Sequence, residues 1–200
     1  MSSNYAVIIR NNLERLFAGD LEERAAALPA RRDGDGLIFR AFGAGCRIDP
    51  DGVHLDGTRE EGPRGIIISL YALHTTNAEC QLEPFRSFKE MPDSAPYAGA
   101  FANRTQQALV PAVARLADHR EMICARLDGS DAPAHMAGDL AFIVRPLPKI
   151  ALCYVCYLPD DDFPAGVTCL YANNADRFLP TDALADVGEY TTRTILDLLS

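Results

Sequence analysis

GDLAFIVRPLPKIALCYVCYL, residues 138–158, decides the fold. From Leu140 to Leu158 it is almost wholly apolar and rich in β-branched and aromatic residues, the strand-forming types. Pro146-Leu147-Pro148-Lys149 divides it, so it reads as two strands joined by a short turn. The second strand, IALCYVCYL, shows no polar alternation and is expected to be buried on both faces. Cys153 and Cys156 lie on it. Three strand steps of about 3.3 Å set them roughly 10 Å apart with side chains on opposite faces. They read as two core thiols, because a zinc or redox CxxC needs a turn or a helix start. GVTCLYA, residues 166–172, supplies a third strand.

Upstream, GLIFRAF, GAGCRID and PDGVHLDG (residues 36–57) alternate apolar and polar side chains between Gly, Pro and Asp, the pattern of an antiparallel meander. Tyr5, Ile8, Ile9, Leu13, Leu16 and Phe17 recur at helical spacing up to Gly19, and Asp20 caps a second short helix. ARRDGDG is a turn-rich connection, and GPRGIIISLYALHTT, led by Pro63, reads as a buried helix. QLEPFRSFKEMP is extended. Tyr97, Phe101, Thr105, Ala108 and Leu109 fit a helix that Pro111 kinks or restarts. HREMICARL then forms a short helix that Asp128-Gly129 stops. Thr181 caps the final helix, whose apolar stripe is Leu184, Val187, Ile195 and Leu198. The expectation is α+β: antiparallel sheets from an N-terminal meander and a C-terminal three-strand group, flanked by helices, in one domain over residues 1–200.

The 200 residues are 48% hydrophobic and 24% charged, with a net charge of −9. That balance excludes nonspecific nucleic-acid binding, which depends on clustered Lys and Arg. No apolar run reaches the roughly 18 residues of a membrane span. The opening MSSNYAVIIRNNLERLF is amphipathic and charged rather than secretory, so a cytoplasmic location with reduced thiols is expected. The charge is uneven: from Ile150 onward, two Arg face eight acids.

No nucleophile elbow, Walker loop, dinucleotide fingerprint or His-Glu-x-x-His motif is present, and no cofactor or metal-ligand set is read from the chain. The candidate site residues are polar groups at element ends. Arg86 and Lys89 flank Phe88, and Arg104 follows Phe101. If the two segments meet, they place cations beside aromatic rings, suited to an anion or to a partner's carboxylates. Asp139 and Arg145 share one strand face. Asp176 and Arg177, with Asn173 and Asn174, precede a helix N-terminus that attracts anions, unless Thr181 and Asp182 satisfy its donors themselves. Asp160, Asp161 and Asp162 read as a solvated turn, or as oxygen ligands for a hard cation. The leading reading is an accessory domain that binds a small anionic molecule or a protein partner. The alternatives are an enzyme using Asp139, Arg145, Asp176 and Arg177 at strand ends, and a metal-linked protein.

Several blocks carry a resemblance: GDLAFIVRPLPKIAL, then DDDFPAGV, then LYANNADRFLPTDALADVGEY. With LIFRAFGAGCRID, FRSFKEMPD and PYAGAFANR upstream, they are similar to an uncharacterised prokaryotic family, domain of unknown function 3786. Met91 and Asp93-Ser94 depart from its usual Leu and Gly-Gly. The resemblance implies an extent over nearly the whole chain but no reaction. The fusion of some relatives to a cysteine-rich iron–sulphur module implies an anaerobic metal or one-carbon setting.

Overall fold

Two five-stranded antiparallel sheets organise residues 4–200, which the computed structural model describes. The first is the meander. Strands β1 (Arg31–Asp33), β2 (Gly36–Ala41), β3 (Ala44–Asp49), β4 (Gly52–Leu55) and β5 (Thr58–Arg59) lie side by side in chain order. Leu37, Phe39, Cys46, Ile48, Val53 and Leu55 point into the core, and Ile38, Arg40, Arg47 and His54 alternate with them. Asp56 and Gly57 join β4 to β5 with φ of 47° and 78°, the left-handed pair of a tight hairpin turn, and Asp-Gly tolerates it best. β1 falls in the stretch read as a turn-rich connection. All three of its residues are exposed, so pairing with β2 alone defines it.

In the second sheet the order is β6 (Arg86–Ser87), β10 (Gly166–Tyr171), β9 (Ile150–Tyr157), β8 (Leu140–Leu147) and β7 (Ser130–Asp131). The three expected strands form its centre. The edges are two-residue strands, too short to leave a periodic trace. Every residue of β9 from Ile150 to Cys156 is buried. Cys153 packs with Ile143, Ala151, Val155 and Ala172 on one face, roofed by Leu82, Phe85 and Met136 from irregular segments. Leu152, Tyr154 and Cys156 face the main core on the other side.

That main core takes side chains from both sheets and from the helices between them. Helix α1 (Asn4–Phe17) buries Ile9, Leu13 and Leu16, and α2 (Leu21–Ala27) starts at Asp20, whose carboxylate accepts the Glu22 N–H at 2.8 Å. Helix α3 (Pro63–His74) is the expected buried helix. Its Ser69 hydroxyl accepts from Asn12 Nδ2 at 3.0 Å, and its Tyr71 hydroxyl accepts the Lys149 N–H at 3.0 Å.

The stretch from Tyr97 is more broken than its apolar spacing predicts. Helix α4 (Ala98–Phe101) widens into a π-helical turn over residues 102–106 and tightens into a 3₁₀ segment over 107–112. Pro111 lies in that segment, and α5 (Val113–Arg126) restarts beyond it, six residues before His119. The last helix, α6 (Thr181–Leu198), begins at the expected cap itself, one residue earlier than predicted. Pro180 occupies the cap, Thr181 is already helical, and Asp182 Oδ1 accepts the Ala183 N–H at 2.9 Å.

Gly188 sits on the face of α6 that meets the π turn. A Cβ there falls 2.5 Å from Phe101 Cε2 and 2.8 Å from Thr105 Oγ1. Alanine gains about 1 kcal/mol of helix propensity, but overpacking a filled core costs about 1–3 kcal/mol. Gly188→Ala is expected to lower unfolding free energy by up to about 2 kcal/mol by urea titration, and a raised midpoint contradicts this packing. Burial pushes the Cys153 thiol up to about 11 and Cys156 to about 12, and raises Cys46 and Cys169 as well. Disulfide-exchange titration at pH 8 is expected to detect only the half-buried Cys80 and Cys124 in native protein, both slowly, and all six thiols in guanidinium. Rapid reaction of four or more native thiols contradicts it.

Candidate functional site

Glu189 lies on α6 with only 6% of its surface exposed. A carboxylate removed from water needs partners of opposite charge, or it costs several kcal/mol. It has two. Arg104 Nη1 donates to its Oε2 at 3.1 Å, and Arg193 Nη2, one helical turn along, donates to its Oε1. The π turn aims Arg104 at α6. Within that turn the Thr105 carbonyl accepts from Thr192 Oγ1 at 3.0 Å, and Gln106 Oε1 accepts the Cys169 N–H of β10 at 3.0 Å. The turn is thereby fixed to α6 and to the second sheet at once. A π turn inside a helix often marks a functional position.

One carboxylate thus holds two guanidiniums side by side while their side chains remain 64% and 58% exposed. These three side chains sum to one positive charge, and Asp186 lies beside them in the adjoining cleft. The Arg193 guanidinium also lies 4.9 Å from the centroid of the Tyr190 ring. Two clefts meet at Arg104 and Glu189. Asn103, Ala108, Thr192, Arg193 and Leu196 line one of about 530 Å³. Tyr5, Pro63, Ile66, Asp186 and Tyr190 line the other, of about 230 Å³. The Asp186 carboxyl is raised above its usual range by desolvation and then by Glu189 and Asp182, with Arg104 opposing. Desolvation also raises the Tyr190 hydroxyl.

The sequence candidates do not converge on this place. The FRSFKE and FANR segments do meet, through Phe88 and Phe101, whose rings stack at 4.4 Å. Both rings are buried, so they form core rather than a binding platform. Arg104 alone enters the Glu189 cluster. Arg86 and Asp176 are brought together at 3.5 Å, but Arg86 also donates to the carbonyls of Asn173 and Glu90. Lys89 and Arg177 are exposed. Asp139 accepts the Leu158 N–H at 2.7 Å at one end of β8, whereas Arg145 reaches Asp128 O at 3.5 Å near the other. Six strand steps set those two about 20 Å apart.

Asn173 and Asn174 hold residues 79–83 through their side chains and backbone, which explains that polar cluster structurally. Asp160 Oδ1 accepts the N–H groups of Asp162 and Phe163, closing the acidic loop on itself. Among the described residues, no three His, Cys, Asp or Glu side chains are grouped to hold a metal ion.

A broader groove of about 800 Å³ runs over the outer face of the meander, past Ile38, Arg47, His54 and Arg59. Its Arg47 is held by Asp33, Asp35 and Asp49, and Arg59 by Glu61, so its cations are already matched. His54 Nδ1 is buried there without a hydrogen-bond partner among the described residues. Glu189, Arg193 and Asp186 are not among the residues that the sequence marks as candidates. The i, i+4 spacing of Glu189 and Arg193 is a legible helix pair, but nothing local in the chain ties Arg104 to it.

No helix among the described residues is long and apolar enough to cross a membrane. No curated protein and no solved structure matches the chain. A family model described as a domain of unknown function matches residues 20–194, from the cap of α2 almost to the end of α6. The chain therefore belongs to the DUF3786 family.

Proposed function

We propose that this chain is an accessory binding domain, a single domain over residues 1–200 in the cytoplasm, that receives a small anionic molecule between Arg104 and Arg193. One observation carries the reading: a buried glutamate holds both guanidiniums while most of each side chain faces solvent. Each guanidinium offers five N–H donors in a fixed fork, and the contact to Glu189 uses one. The remaining donors suit a carboxylate or phosphate, and charge-assisted bonds of this kind are about twice as strong as neutral ones. A carboxylate of a protein partner satisfies the same donors. Arg86, with Asp176, Asn173 and Glu90 already around it, has less to offer an anion.

The test is a titration of the protein with citrate and inorganic phosphate, followed by NMR of the arginine Nε–H resonances. Arg104 and Arg193 are expected to shift together, and the Arg104→Ala/Arg193→Ala double variant to lose at least tenfold in affinity. Raising the salt concentration weakens binding at a surface site of this kind. Shifts confined to other arginines, or no shift with either anion, overturn the proposal.

A further inference from the structure

Asp186 and Glu189 are three residues apart on α6, so they share a face and are about 4.5 Å apart along its axis. Glu189 is matched by two arginines. Asp186 makes no ion pair among the described residues, although it lines the smaller cleft that opens from Arg104. Around it are the rings of Tyr5 and Tyr190 and the aliphatic surfaces of Pro63 and Ile66. A carboxylate that no described cation contacts in an ion pair, beside two aromatic rings and an apolar wall, is suited to an alkylammonium group. The charge meets Asp186, the methylenes lie on Pro63 and Ile66, and the cation is attracted to ring faces.

Resting on the anion site proposed above, we infer that the ligand is a small ω-amino carboxylate, its carboxylate on Arg104 and Arg193 and its ammonium on Asp186. A plain anion at Arg104 meets Asp186 across the cleft and is repelled. The same carboxylate that receives the amine therefore weakens, without abolishing, the binding of anions lacking one. Asp186 and Arg193 are seven residues apart on α6, about 10 Å along its axis. A ligand that touches both needs its charges at opposite ends of a chain rather than on one carbon as in an α-amino acid. A chain of several methylenes provides this.

Calorimetric titration of the chain with 5-aminopentanoate and with pentanoate, which differ only in the amine, tests this. The amino compound is expected to bind at least tenfold more tightly. In Asp186→Asn the preference disappears and pentanoate binds as well as before or better. That variant is expected to fold: the environment disfavours the ionised form of Asp186, so its contribution to stability falls as pH rises through its raised pKa. The neutral amide avoids that loss, and the melting temperature at pH 7 is expected to be no lower than that of the parent. Equal affinity for the two probes, or a preference that survives Asp186→Asn, overturns the inference while leaving the anion site intact. Failure of pentanoate, 5-aminopentanoate, citrate and phosphate alike to bind overturns the anion site and this inference with it.

Discussion

A strand with no face open to water has to be covered twice, and that requirement at β9 governs the arrangement of this protein. Ile150 to Cys156 are all buried, so helices fill one side of the second sheet and irregular segments close the other. Backbone polar groups in those irregular segments need partners of their own. Asn173 and Asn174, immediately after β10, provide them for residues 79–83. The polar cluster at the end of the sheet thus follows from roofing a two-sided strand with chain that has no ladder.

On the helical side, the same packing brings α6 and the π turn together. Gly188 removes the side chain that would hold them apart, and Phe101, Phe88 and Tyr171 fill the space beside the contact. The close approach has two consequences. It buries Tyr154 and Thr192 with their hydroxyls 3.2 Å apart, in a chain that ends on the Thr105 carbonyl. It also carries Arg104 across to Glu189, which is 85 residues away in sequence. The charged cluster at the surface and the polar chain beneath it have a common origin in one helix–helix contact.

The long elements were legible because burial imprints a period on them. The runs in β8, β9 and β10, the stripe of α1 and the continuous apolarity of α3 each persist long enough to be read. β6 and β7 are two-residue strands defined by hydrogen bonds to a neighbour, and their side chains carry no pattern. The π turn was not readable for a related reason: one extra residue in a helical turn changes backbone hydrogen bonding while the apolar spacing of Phe101, Thr105 and Leu109 stays helical. Arg104 was singled out because it follows Phe101. The structure gives it a different neighbour, since Phe101 turns inward and the arginine turns toward α6. Glu189 escaped notice because an acid in an amphipathic helix reads as solvent-facing until the partner that buries it is known.

The net charge of −9 opposes anion binding only at long range. At physiological ionic strength the Debye length is about 8 Å, so acids elsewhere on the surface are largely screened from Arg104 and Arg193. What remains is local, and there the burial of Glu189 matters most. An exposed glutamate would leave each guanidinium free to swing into water, and immobilising two long side chains would then oppose ligand binding. A buried one is held by the fold, and it holds the arginines in turn. Its two oxygens take their donors from two arginines, Oε2 from Arg104 and Oε1 from Arg193, rather than both from one bidentate fork. One guanidinium already balances the Glu189 charge, so the second, held on the same carboxylate, is the source of the positive charge offered outside it.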